Sequence, residues 1–132
     1  MGDTLNNGLI GVDAGVALAP EPLPVKNEQP YIQDLVLLDL QRTSNWYASV
    51  VEKDIRERKE FGIKKYGTGL QAFNGRNPVV DTYQEVLDGV VYARQAMAET
   101  EEKSVGWYDR KQVYDKLLDL AFYLSKLLRQ QK

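Results

Sequence analysis

Two carboxylate pairs carry the clearest chemical content in this chain, Glu57-x-x-Glu60 and Glu85-x-x-Asp88. Side chains three or four apart share a helix face, so each pair sets two carboxylates one turn apart. The second pair belongs to a stretch in which Asp81, Glu85, Asp88, Tyr92 and Gln95 line one helical face. No lysine interrupts that face, and its acids repel one another unless a cation sits among them. Clustered carboxylate oxygens suit a hard divalent cation. The plainer alternative is a solvated acidic stripe, opposite the apolar Tyr83, Val86, Leu87, Val90 and Met97. Divalent ions there could neutralise a polyphosphate, activate a bound water and stabilise a departing pyrophosphate. Such chemistry asks the protein chiefly for positioning and charge.

Composition narrows the options further. The 132 residues contain neither histidine nor cysteine. Ser-His and Cys-His nucleophiles, disulfides and most zinc sites are thereby excluded. Acid–base or metal chemistry must rest on Asp, Glu, Lys and Tyr. A formal net charge of −2 without a Lys/Arg cluster gives no support to nucleic-acid binding. No apolar run reaches membrane-spanning length. The apolar N-terminal residues lack a preceding positive charge and are interrupted by Asp13, which argues against a secretory signal. A cytoplasmic protein is expected.

The elements that must position these acids read as follows. Residues 1–30 are rich in Gly, Asn and Pro and form a tail, either free or laid across another surface. An all-α domain is expected over 31–132. Its first helix runs from Tyr31 to about Gln41, apolar nearly all round and so buried on more than one side. Thr43-Ser44-Asn45 supplies an N-cap for a second helix, about Trp46 to Lys65. Tyr47, Val50, Val51 and Phe61 mark its inward face, which also holds Asp54 and Arg58. That charged pair is either an internal salt bridge or part of a site, because buried charge needs a partner.

A glycine-rich basic loop follows the second helix, with Gly62, Gly67, Gly69 and Gly75 as helix-stop and tight-loop signals. Lys64, Lys65 and Arg76, with Arg58 beside them, are candidate contacts for a phosphate tail. Each could equally be a solvated surface charge. Asn74 could read a base edge or simply make the turn. Tyr66 and Trp46 could stack on a base or belong to the core. Asn77 and Pro78 make a cap and first turn for a third helix reaching about Glu99. A fourth helix, about Tyr108 to Gln131, shows a seam of Val113, Leu117, Leu120, Ala121, Leu124 and Leu127. Leu118, Phe122 and Leu128 widen that seam towards a subunit interface.

Over residues 46–98 the chain resembles the MazG-like all-α nucleoside triphosphate pyrophosphohydrolases. The resemblance rests on the two acid pairs, separated by the 24 residues from 61 to 84. It rests also on Phe-Gly-x-x-Lys-Tyr-Gly-x-x-Leu-Gln-x-Phe-Asn-Gly-Arg ahead of Asp81-x-Tyr-x-Glu-x-x-Asp, which looks like a bacteriophage branch of that family. It implies a four-helix MazG-like bundle that hydrolyses a (d)NTP to (d)NMP and pyrophosphate. Two or more Mg²⁺ or Mn²⁺ ions are implied, with assembly as a homodimer or dimer of dimers. The branch implies a purine substrate such as (d)GTP. The metal-binding and catalytic carboxylates map to Glu57, Glu60, Glu85 and Asp88. An alternative first pair, Asp54 with Glu57, leaves the 27 residues from 58 to 84 between the pairs and fits as well. Readings of another class are a helical accessory protein that keeps the bundle without catalysis, or a nucleotide sensor that does not hydrolyse.

Overall fold

A computed structural model describes residues 21–130. The described chain is all-helical: α1 (Ile32–Gln41), α2 (Ala48–Tyr66), α3 (Pro78–Ala98) and α4 (Val105–Gln130). Among the described residues the sole β pairing is an isolated bridge between Tyr31 and Gln71. None of their helices is long and apolar enough to cross a membrane. Two compact units form, one from Pro22 to Arg76 and the other from Asn77 onward with Glu21.

In the Asn77 unit, α3 packs against α4. The Asn77 side chain accepts hydrogen bonds from the Val79 and Val80 amides at 3.0 and 3.3 Å, and Pro78 follows at N1, as expected. These bonds satisfy donors that the first helical turn leaves free. Val80, Val86, Ala93 and Met97 are the buried residues of α3. Val86 clusters with Ala121 and Leu124 of α4, and Val80 with Leu128, while Tyr83 packs on both groups. The apolar side expected for the third helix is therefore the side that is buried. The α4 helix starts three residues earlier than expected because Ser104 caps it, its hydroxyl accepting from the Trp107 amide at 3.2 Å. Leu128 joins the core, whereas Phe122, Val113 and Leu120 are exposed.

In the Pro22 unit, α1 packs against α2. Leu37 is the one buried residue of α1, and Leu35 and Leu38 are exposed, so that helix is covered on one side. The cap expected from Thr43-Ser44-Asn45 does not form: α2 starts after Tyr47 with no side-chain cap, and Asn45 instead makes the turn ahead of it, its Oδ1 accepting from the Tyr47 amide at 2.8 Å. The inward line of α2 differs from the expected one. It runs through Ala48, Glu52, Ile55, Lys59, Gly62 and Ile63, the partly buried positions, spaced three and four apart. Tyr47, Val50, Val51 and Phe61 are exposed instead. Lys59 on this line is neutralised by Asp34 at 2.6 Å while its ammonium sits over the Tyr31 ring.

Of the glycines expected to stop the helix, Gly62 lies inside α2, which ends on Gly67 in the left-handed conformation, φ +78°, whose amide donates to the Ile63 carbonyl at 2.7 Å. The loop beyond is clasped by residues 22–31. Asn27 N donates to Gln71 Oε1 at 3.1 Å, and Gln71 Nε2 donates to the Asn27 and Gln29 carbonyls at 2.7 Å each. Asn27 Nδ2 reaches the Ala72 and Phe73 carbonyls, and the Val25 amide donates to Asn74 O at 2.8 Å. Residues 22–30 are thus an ordered part of this unit and not a free tail. Positions 1–20 lie outside the described residues.

Candidate functional site

The clasp leaves a cleft of about 610 Å³ within the Pro22 unit. Leu23, Pro24, Val25 and Lys26 form one wall. Arg58, Gly62 and Tyr66 of α2 form another, and the loop contributes Thr68 to Gln71, Asn74 and Arg76. This size suits a small organic ligand. Its charge is one-sided: Lys26, Arg58 and Arg76 line it, and no carboxylate does.

Three of the five expected substrate contacts, Arg58, Asn74 and Arg76, therefore share one cleft. Arg58 makes no salt bridge with Asp54; its guanidinium lies 5.3 Å from the Phe61 ring centroid. Arg76 Nη1 donates to the Pro22 carbonyl at 2.8 Å, tying wall to loop. Asn74 is buried at 7 % exposure, and its Oδ1 accepts from the Arg76 amide at 3.1 Å. Its Nδ2 has no hydrogen-bond partner among the described residues. Asn74 thus makes the turn and also keeps a donor for a ligand.

Lys64 and Lys65 are not among the residues that line the cleft. Both stand in the last turn of α2, where cations complement the carbonyl end of the helix. Lys65 lies over the Tyr66 and Phe61 rings at 5.2 and 5.9 Å. Tyr66 is exposed and lines the cleft, whereas Trp46 is 94 % exposed and does not.

The candidate metal ligands fall in both units. Asp54, Glu57 and Glu60 lie on α2, and Glu85 and Asp88 on α3; all five are exposed. The expectation that Asp54 and Arg58 lie on the inward face of the second helix is corrected, because both are exposed and the inward line is the one given above. None of the five has an ion-pair partner among the described residues. Within neither unit do three or more carboxylates of the described residues gather into a metal-binding group. Each helix offers a pair one turn apart, with hard oxygen donors uncommitted to any cation, and that donor set fits Mg²⁺ or Mn²⁺.

Sequence reasoning missed Lys26 and the wall from Leu23 to Val25. Nothing in their local spacing marks them; they reach the cleft through the Asn27–Gln71 pairing, across 44 positions. No family model, curated protein or solved structure matches this chain.

Proposed function

We propose that the protein is a metal-dependent pyrophosphohydrolase of (d)NTPs, of MazG-like type, with a purine such as (d)GTP as the favoured substrate. The observation that carries this reading is the cleft lined by three cations, an available amide donor and no acid. A nucleotide pairs a polyanionic tail with a flat, largely apolar base. Arg58 and Arg76 would hold the tail by charge-assisted hydrogen bonds, and Tyr66, Leu23 and Leu70 offer the base an apolar surface. Glu57, Glu85 and Asp88, with Asp54 or Glu60 as the further ligand, would hold the divalent ions. When bound, those ions supply charge neutralisation and water activation for cleavage between the α and β phosphates.

The test is product analysis on a panel of (d)NTPs with Mg²⁺ or Mn²⁺. Monophosphate with pyrophosphate is the expected outcome. Nucleotide diphosphate with phosphate, or no turnover at all, would overturn the reading. A silent result would favour an accessory role, for which the exposed Tyr47, Val50, Val51 and Phe61 stripe offers a docking face. In the enzyme reading that same stripe is where a second copy of the chain would pack, giving a homo-oligomer.

A further inference from the structure

We infer that the segment preceding α1 is a working wall of the ligand site, and that Lys26 is its third contact for an anionic, phosphate-bearing ligand. The inference rests on the nucleotide reading for the identity of the ligand, but not for the existence of the site. The segment is held to the loop by a dense set of hydrogen bonds. Gln71 commits both ends of its amide to Asn27 and Gln29, and Asn27 in turn reaches the Ala72 and Phe73 carbonyls. Gln71 is buried at 9 % exposure. It is therefore a positioning residue that fastens the wall.

That fastening decides where Lys26 stands. Its neighbour Val25 donates to the Asn74 carbonyl, and Pro22 accepts from Arg76, so the wall is anchored on both sides of the loop's turn. Lys26 itself has no ion-pair partner among the described residues. It lines the same cleft as Arg58 and as Asn74, whose side chain is more than nine-tenths buried with an unpartnered amide nitrogen. Lys26 and Arg58, neither with an ion-pair partner among the described residues, line a cleft without a carboxylate, so an entering polyanion meets uncompensated positive charge. Leu23 and Val25, both exposed, give the wall an apolar surface beside the charge.

The probe is inorganic tripolyphosphate, titrated calorimetrically into the full chain in EDTA, alongside (d)NTP hydrolysis assayed with Mg²⁺. Lys26→Ala should weaken tripolyphosphate about tenfold and raise KM by a similar factor with kcat nearly unchanged. Lys26→Arg should recover most of the loss. Asn27→Ala, which unfastens the wall without removing a charge, should also raise KM. Because Lys26 is exposed and has no ion-pair partner among the described residues, the melting midpoint of Lys26→Ala should match wild type. The inference is overturned if wild type does not bind tripolyphosphate, or if Lys26→Ala binds it within about twofold of wild type. Active enzyme with an indifferent Lys26 would sink the inference and leave the proposed function standing. Lys26-dependent tripolyphosphate binding without hydrolysis of any nucleotide would do the reverse.

Discussion

Carboxylates that stand in solvent without a cationic partner contribute little to folding, so replacing them isolates their chemistry. Glu85→Gln and Asp88→Asn keep the shape of each side chain and remove one negative charge from α3. Each is expected to lower turnover to background while far-UV circular dichroism stays at the wild-type level. Near-wild-type rates in either variant would remove that residue from the site. The rivalry between Asp54 and Glu60 can be decided in the same way. Arg58 lines the cleft, and Asp54 lies one turn from it along the same line of α2, whereas Glu60 is rotated by about 200° at roughly 100° per residue. Asp54→Asn is therefore expected to lose far more activity than Glu60→Gln in a steady-state comparison. The opposite order would restore Glu60 as the ligand.

Between α2 and α3, the loop from Gly67 to Asn77 shapes the cleft, and its most constrained point is Gly69. A Cβ there would stand 2.6 to 2.9 Å from the near atoms of the Tyr31 ring, closer than packed carbons approach. Tyr31 cannot easily retreat, since it bridges to Gln71 and carries the Lys59 ammonium over its face. Gly69→Ala should cost about 1–3 kcal/mol of stability and weaken substrate binding, read as a lower denaturation midpoint together with a higher KM. Gly67 and Gly75 need glycine for a different reason, φ angles of +78° and +88° with open space around each. Much of this was legible in advance. The Asn77–Pro78 start, the Gly67 stop and the buried side of α3 all follow from residues within a turn or two of one another. The inward side of α2 was not. Its exposed stripe holds the larger apolar residues, so periodicity alone selects the wrong line. The packed one carries Ile55 and Ile63 together with a lysine neutralised by Asp34, 25 positions away.

For the molecule as a whole, divalent ions are the most informative additive. If the folded chain binds Mg²⁺ or Mn²⁺ and the unfolded chain does not, the melting midpoint must rise with metal concentration. The stabilisation is about 2.7 kcal/mol at a hundredfold excess over Kd. A thermal melt from zero to millimolar metal should show this rise in wild type and a reduced one in Asp88→Asn. Metal-independent midpoints would count against the carboxylate assignment while leaving the cleft untouched. By itself, the sequence determined the all-helical character of the described residues, the Asn77–Pro78 start of α3, the spacing of the acid pairs and the absence of histidine and cysteine chemistry. Each of these is set by residue type or by neighbours within a few positions. The tertiary structure alone decided that Arg58, Asn74 and Arg76 share one cleft with Lys26, and that Lys64 and Lys65 are not part of its lining. That arrangement hangs on hydrogen bonds between residues 27–29 and Gln71. Pairings so distant in the chain leave no local pattern, because only the folded backbone brings their donors and acceptors within reach.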